Sequence, residues 1–376
     1  MSRARSKGLS FLVMVTGVVM LALLVQACAP AAPAPAQAPA KPAAEPTKAS
    51  APAQPAAAQP TAAAAPAKAA APKYTLRLAH HVALTHLVQT VSEKFAETVS
   101  KKTNGQVEVK VFGAGQIGGL KDNTEGVKLG TLDLAWADLS AAALYYDRAN
   151  IISLPFLFRD HDHWQKVANG PIGKQLASEL LEKTGIRTLS YQVSGFRVMM
   201  SRNKPINSAA DMKGLKIRIP EVPIYVDTMK ALGANATPLP WGDVYTALQT
   251  GVVDAVEVPA DTALSGKIPE VAKYVSKTYH IFTDVNLIMS DKVYKGLPAD
   301  IQKAIDDSAK EVVTDWGQAE AIKLDKRSYD DLVKAGMQGI DKPDMASFQN
   351  AVKPVWDNFI TTTKSAELVK AITDTK

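Results

Sequence analysis

The sequence predicts an α/β protein whose sheets are largely parallel, and three observations lead to that class. Short runs suited to strands alternate along the chain with segments whose apolar residues recur every three or four positions. Such alternation is typical of parallel sheets covered by helices. The 304 residues after position 72 suffice for two hydrophobic cores. Residues 298–335 form a helical pattern long enough to connect two units.

The predicted strands and helices rest on these periodicities. The first strand, Tyr74–Ala79, alternates, and the helix over His86–Thr103 carries Leu87, Val91, Phe95 and Val99 at four-residue spacing. The other predicted strands are Val107–Phe112, Leu132–Trp136, Arg187–Gln192, Lys216–Ile219, Ala255–Val258 and Ile281–Ser290. The other predicted helices are Lys121–Leu129, Pro171–Thr184, Pro223–Leu232, Asp243–Thr250 and the long Pro298–Ala335. Sheets of this kind bind ligands beyond the carboxyl ends of their strands.

Residues 1–28 have the layout of a secretory signal. Arg3, Arg5 and Lys7 precede an uncharged apolar run over Leu9–Val25, which is shorter than the roughly 20 residues of a spanning helix. The run ends in Val-Gln-Ala-Cys, which resembles a bacterial lipobox and makes Cys28 the predicted lipidation site. The alternative is an uncleaved membrane anchor in which Cys28 is an incidental thiol.

Residues 29–72 are a predicted tether. They contain 23 alanines and 11 prolines, and prolines this frequent prevent a continuous helix. A polyproline-like chain of this length reaches at most about 136 Å. The composition indicates a semi-rigid spacer between a lipid-anchored Cys28 in the bilayer and a globular body.

Charge and cysteine content exclude several classes of function. The chain carries a formal net charge of +6, but five of those charges precede residue 73. A nearly neutral body argues against nucleic acid as a partner, because that binding depends on neutralising phosphates. The single cysteine excludes an internal disulfide and a thiolate zinc site.

One glycine-rich segment raises an enzyme hypothesis. Residues 113–118 match the dinucleotide fingerprint, and Asp138 lies 20 residues further on. The segment follows the second predicted strand rather than the first, and the helix after it is short. A tight glycine turn is the favoured interpretation.

Two histidine groups raise a metal hypothesis. His80, His81 and His86 form one group, and His161 and His163 form the other. Neighbouring residues on a strand point to opposite faces, so His80 and His81 are not expected to share an ion. No metal site is predicted. His81 remains of interest because it ends the first strand.

Arg197 and Arg218 are the cations of interest. The alternation of residues 215–219 places Arg218 at the carboxyl end of a strand, where a guanidinium can hold a carboxylate bidentately. A surface arginine paired with Glu221 is equally compatible with the spacing. No hydrolase or phosphate-loop motif occurs in the sequence.

Several blocks of sequence resemble one protein family. Residues Asp211–Pro220 resemble the signature of the DctP family, the solute-binding proteins of tripartite ATP-independent periplasmic (TRAP) transporters. Leu154–Phe158, Ala231–Ala234 and Asp243–Asp254 resemble further blocks of that family, and Gly115–Gly119 fits its glycine turn. The resemblance covers nearly all of residues 74–376.

The resemblance implies a type II-like periplasmic binding protein. Two α/β lobes, joined by crossing strands and a long bridging helix, would close around a small organic acid. Lobe I would comprise residues 73–195 and 283–323, and lobe II residues 196–282 and 324–376.

The resemblance also implies roles for individual residues. Arg218 would clamp the substrate carboxylate, Arg197 would be a second arginine of the cleft, and Trp241 would pack on the ligand. His81 and Asp138 match polar positions at strand ends.

One segment departs from the family pattern. Glu257 and Val258 match a segment that often has asparagine at the second position. Valine removes a hydrogen-bond donor there. With Trp241, it suggests a ligand less polar than a sugar acid.

The function implied is capture rather than catalysis, without a cofactor. The protein would be an extracytoplasmic component of a TRAP-type transporter that binds an organic acid and delivers it to the membrane permease. Two alternatives are an exported enzyme with a nucleotide cofactor, based on residues 113–118 and Asp138, and a sensor of the same fold.

Overall fold

The computed structural model describes residues 71–376, and these residues form two mixed sheets covered by helices. The predicted signal segment, Cys28 and nearly all of the predicted tether therefore lie outside the described residues. The strands are β1 Tyr74–Ala79, β2 Val107–Phe112, β3 Leu134–Ala137, β4 Ile186–Ser190, β5 Val193–Ser201, β6 Lys216–Ile219, β7 Asn235–Pro238, β8 Ala255–Pro259, β9 Tyr274–Ser276, β10 Phe282–Asp284, β11 Asn286–Ser290 and β12 Gln338–Ile340.

Thirteen α-helices of the described residues pack on these sheets. They are α1 Leu87–Lys102, α2 Leu120–Leu129, α3 His161–Asn169, α4 Pro171–Thr184, α5 Pro223–Ala231, α6 Val244–Thr250, α7 Ala260–Ser265, α8 Asp291–Lys295, α9 Ala299–Ser308, α10 Gln318–Lys334, α11 Met345–Ala351, α12 Lys353–Thr363 and α13 Ala366–Asp374. Short 3₁₀ turns include Leu139–Leu144 after β3 and Trp241–Asp243 before α6. Within residues 71–376, no helix combines the length and apolar character that crossing a membrane requires.

The first sheet has the order β2-β1-β3-β11-β4, and the second has the order β12-β9-β5-β8-β6-β7, with β10 paired to β5. Five strand pairings are parallel. The other five are antiparallel, and each of them includes β5 or β11. The expectation of largely parallel sheets is therefore wrong, because the chain runs in the opposite direction where it passes from one sheet to the other.

Two chain segments connect the sheets side by side. The first runs from β4 in the first sheet to β5 in the second, and the other returns from β10 to β11. Val285 N–H donates to the Gln192 carbonyl at 2.7 Å where the two segments meet. The Phe196 and Phe282 rings pack edge to face there, 4.8 Å apart. The predicted single strand Ile281–Ser290 is thus two strands that belong to different sheets.

The predicted long helix is continuous. It consists of α9, a stretch of wider turns over Ala309–Gly317, and α10. Its first half packs on α1, while α10 packs on α7 and β5. The long helix therefore contacts elements that pack on both sheets. The division into lobes at residues 195/196, 282/283 and 323/324 stays a prediction.

Three apolar clusters hold the described residues together, and one of them includes strand residues of both sheets. Helix α1 buries Val88, Val91, Phe95 and Val99 against the first sheet, as its four-residue spacing predicts. Trp136 on β3 is fully buried there, and its indole N–H donates to Ser92 Oγ at 2.7 Å. The packing of α1 therefore fixes the position of the central strands of the first sheet.

Gly195 is required where β5 leaves the crossover. Its φ is +123°, and an added Cβ would fall on the Asp325 carboxylate of α10. Asp325 Oδ2 accepts from His161 Nε2 at 2.8 Å and from Phe196 N–H at 3.4 Å. The long helix can approach the crossing strand this closely only because residue 195 has no side chain.

Substituting Gly195→Ala should lower the free energy of unfolding by at least about 2 kcal/mol, because strained backbone and overpacking add. Gly242→Ala is the matched control, since an added Cβ there meets no atom within 4 Å. Urea denaturation followed by circular dichroism measures both variants. Equal stability of the two variants would contradict the packing argument.

Candidate functional site

A cavity of about 80 Å³ lies between the two sheets, at the carboxyl ends of their parallel strands. Residues after β1 and β3 line one side, while β6, β8 and the following turns line the other. Six of the seven predicted binding residues line it: Arg218, Arg197, Trp241, His81, Asp138 and Val258. The site is thus where α/β sheets place ligands.

Arg218 is the cation that faces the cavity without a carboxylate partner. Its side chain is 4% exposed. Nε and Nη2 donate to the Leu239 carbonyl at 2.9 and 2.6 Å, and no acceptor for Nη1 occurs within residues 71–376. Burial, with the neighbouring charge of Arg197, lowers the pKa of Arg218 to about 9. A surface pair with Glu221 is excluded, since no ion pair joins the two within 4 Å.

His81 lies beside Arg218 and is electrically neutral. Its Nδ1 is buried and has no hydrogen-bond partner among the described residues. Burial is the largest cause that lowers the pKa of His81 to about 3, and the positive charge of Arg218 is the second. A neutral imidazole at this position leaves an unused polar atom for a ligand.

Arg197 also lines the cavity, but its charge is already compensated. Nη2 donates to Glu257 Oε1 at 2.8 Å, and Nε donates to Glu257 Oε2. His280 Nε2 lies 3.2 Å from the same carboxylate. Burial raises the pKa of Glu257, but the charge of Arg197 and the bonds to it more than offset that, so the pKa is lowered.

Glu257 is the predicted binding residue that does not line the cavity. Its side chain is fully buried and does not line the cavity. Neighbouring strand residues point to opposite faces, and on β8 it is Val258 that faces the cavity. Glu257 accepts hydrogen bonds from Arg197, and its role in ligand binding stays a prediction.

Two buried carboxyl groups also line the cavity. Asp138 follows β3, and its Oδ2 accepts from Ser140 Oγ at 2.9 Å. Asp284 ends β10, is 1% exposed and also lines the cavity. Asp284 is not among the residues predicted from the sequence, although an aspartate inside the apolar run of residues 281–290 was the available signal.

Apolar side chains form the remaining walls. Trp241 lies with its ring centroid 5.6 Å from the Arg218 guanidinium carbon, and an added Cβ at Gly266 would collide with its indole. Val258 is 4% exposed and lies on the same side. The cavity therefore has both polar and apolar walls.

A polar contact joins the two sides of the cavity. His86 caps α1 by accepting from Val88 N–H at 3.2 Å through Nδ1. Its Nε2 lies 3.2 Å from both Asp261 Oδ2 and Thr262 Oγ1 on α7. Because α1 packs on the first sheet and α7 on the second, this contact closes one edge of the cavity.

The glycine segment and the second histidine group, His161 and His163, make structural contacts. An added Cβ at Gly113 would lie 2.8 Å from His80, so this glycine permits close packing of the turn. His161 contacts Asp325, and His163 contacts the Ile372 carbonyl at 2.8 Å. His80 lines the cavity beside His81 because β1 ends at Ala79 and its alternation stops there. Within residues 71–376, no group of three or more acidic, histidine or cysteine side chains is placed to hold a metal ion.

Glu257→Gln should lower the free energy of unfolding by about 3 kcal/mol, because it leaves the Arg197 charge buried without compensation. Glu320→Gln is the control, since it removes a carboxylate from an exposed pair with Lys323 and should change stability by less than about 1 kcal/mol. Urea denaturation tests both. A variant at position 257 as stable as the control would contradict the role of Glu257 as the counter-ion of Arg197.

Comparison with known proteins identifies the family. The sequence model described as bacterial extracellular solute-binding protein, family 7 (DctP), matches residues 78–362. The chain is 30% identical to the 2,3-diketo-L-gulonate-binding periplasmic protein YiaO of Escherichia coli over 79% of this chain and 91% of that protein.

Solved structures agree. A TRAP periplasmic solute-binding protein from Polaromonas sp. JS666, bound to D-erythronate, matches with a TM-score of 0.76 and 30% identity, over 81% of this chain and 99% of that one. One from Sulfurospirillum deleyianum, bound to succinate, matches with a TM-score of 0.76 and 29% identity, over 81% and 100%. The fold is that of a two-lobed periplasmic binding protein, and this chain belongs to the DctP family of TRAP solute-binding proteins.

Proposed function

We propose that this protein captures a small organic acid by its carboxylate at Arg218 and delivers it to a membrane permease. One observation carries the proposal: Arg218 is buried against the cavity, and no carboxylate of the described residues pairs with it. Relatives named for 2,3-diketo-L-gulonate, or solved with D-erythronate or succinate, support an organic acid as the ligand.

The geometry of Arg218 suits a carboxylate. The Leu239 carbonyl accepts from Nε and Nη2 and so fixes the plane of the guanidinium. The edge formed by Nη1 and the second Nη2 hydrogen remains for two parallel hydrogen bonds to a carboxylate. Exclusion of water strengthens this pair, because the effective dielectric constant falls.

The proposed ligand spans a cavity with mixed walls. Its carboxylate meets Arg218 and the unpartnered Nδ1 of His81, while its carbon chain lies on Trp241 and Val258. Arg197 contributes positive potential, although Glu257 holds its hydrogen bonds. Asp138 faces the part of the ligand away from the carboxylate.

The test is calorimetric titration with succinate, D-erythronate and 2,3-diketo-L-gulonate, after a thermal-shift screen that includes NAD. Arg218→Ala should weaken the binding of any acid that binds the wild type at least about 30-fold, since losing one partner of a buried pair costs roughly 2–5 kcal/mol. Arg218→Lys should recover only part of the loss, because an ammonium does not bind bidentately.

Lys326→Ala, an exposed cation on α10, is the charge-matched control and should bind like the wild type. Unchanged affinity in Arg218→Ala removes this residue from the site. Stabilisation by NAD without stabilisation by any of the acids favours the enzyme alternative.

The proposal extends to location. Residues 1–28 would direct export, Cys28 would become the lipidated first residue, and the tether would hold the body near the bilayer. Two acyl chains suffice for stable anchoring, whereas one binds reversibly. Tethering raises the local concentration of the loaded protein at the permease.

Cys28→Ser should shift the protein from the membrane fraction to the soluble fraction of expressing cells. Cell fractionation and intact-mass measurement test this, with Arg218→Ala as a control that stays in the membrane fraction. Membrane retention of Cys28→Ser, together with an unmodified wild-type mass, would support the uncleaved anchor instead.

A further inference from the structure

Asp284 is a buried acid that lines the cavity and is only half satisfied. Its Oδ2 accepts from Leu139 N–H at 3.3 Å and from the Asn286 side-chain amide. Its Oδ1 is buried and has no partner among the described residues. Buried polar atoms normally have a hydrogen-bond partner. We therefore expect Asp284 Oδ1 to bind a group that the described part of the protein does not supply.

Asp138 places a second carboxyl group next to it. Asp138 directly precedes Leu139, whose N–H binds Asp284, and β3 pairs with β11 immediately beyond Asp284. Neither acid forms an ion pair with a cation of the described residues. Two buried carboxylates this close do not both ionise readily, because each adds to the cost of charging the other.

The groups that face the Asp138–Asp284 pair do not compensate its negative charge. Arg197 on β5 is the nearest cation, but Glu257 on β8 compensates it. Tyr191 and Tyr225 are phenols that remain neutral. Arg218 lies across the cavity, and the neutral His81 also lines it. Burial first, and the charge of Asp138 second, raise the pKa of Asp284 to about 8, and burial also raises the pKa of Asp138.

We propose that the Asp138–Asp284 pair carries one proton on Asp284 Oδ1 and that this O–H is a second anchor for the ligand. The anchor donates to an acceptor oxygen that lies away from the carboxylate held by Arg218. The ligand class is thus an organic acid with a second oxygen acceptor, and its capture is linked to a proton. The inference rests on the proposed function.

The linkage has a definite direction. Below about pH 8 the free protein already holds the proton, so binding takes up none. Above that pH Asp284 is ionised in the free protein, and the negative ligand draws a proton from solution when it binds. Affinity therefore falls as pH rises from 7 to 9, by roughly tenfold for one pH unit above the pKa.

Calorimetry measures the linkage with succinate, D-erythronate and 2,3-diketo-L-gulonate in buffers that differ in ionisation enthalpy. For an acid that binds, we expect uptake near zero at pH 6 and between about half a proton and one proton at pH 8.5. Asp284→Asn, whose amide donates without titrating, should remove the larger part of the uptake and of the matching pH dependence, leaving only the share of Arg218, whose pKa is about 9. Glu320→Gln, an exposed change of equal charge, should retain both.

A second measurement needs no ligand. Carboxyl ¹³C NMR of aspartate-labelled protein should show one resonance that titrates near pH 8, that disappears in Asp284→Asn and that shifts to lower pH in Asp138→Asn. Titration of every aspartate below pH 5 would overturn the shared proton. Binding of an acid with no proton uptake would overturn the anchor and leave the proposed function standing. Failure of all three acids to bind would contradict the proposed function, and the anchor with it, while the NMR titration would still decide the proton.

Discussion

The structure depends on a buried positive charge that its described residues do not neutralise. Two arginines line one cavity, and they differ in how their charges are met. Arg197 has Glu257 as a fixed counter-ion, whereas Arg218 donates to the Leu239 carbonyl and forms no ion pair with a carboxylate of residues 71–376. A buried ion without a partner raises the free energy of the folded protein. An anion that pairs with Arg218 would lower that free energy. On the proposed function, the free energy gained on binding comes from pairing this charge rather than from new packing.

The fold positions this charge through its strand crossover. Parallel strands of both sheets end at the cavity, and the crossing segments β4–β5 and β10–β11 bring the two sets of ends together. The same crossover places Asp284 beside Asp138 and sets Gly195 against the long helix. His86 joins the two sides of the cavity through α7. Movement of one sheet relative to the other would thus change the shape of the cavity and these contacts together, as in hinge closure.

The parts of the fold that were predicted correctly follow from local patterns of apolar residues in the sequence. Strand Tyr74–Ala79 and helix Pro171–Thr184 have the predicted bounds, because their periodicity and end residues are local. Strand β5 was missed because nearly all of its residues are buried, so no alternation marks it. The orientation of the Glu257 side chain could not be predicted from the sequence. The position of β8 between its neighbouring strands decides which of two adjacent side chains faces the cavity. Asp284 carried a sequence signal, an aspartate within an apolar run, but only the crossover shows that it lies near Asp138.

The central claim is that an organic acid neutralises Arg218 inside the cavity. The most direct measurement is a crystal structure of the protein with the organic acid that copurifies with it, identified by mass spectrometry. The account predicts a carboxylate in the cavity that accepts two hydrogen bonds from the Arg218 guanidinium at about 2.7–2.9 Å. A ligand bound elsewhere, or bound in the cavity with its carboxylate turned away from Arg218, would contradict it.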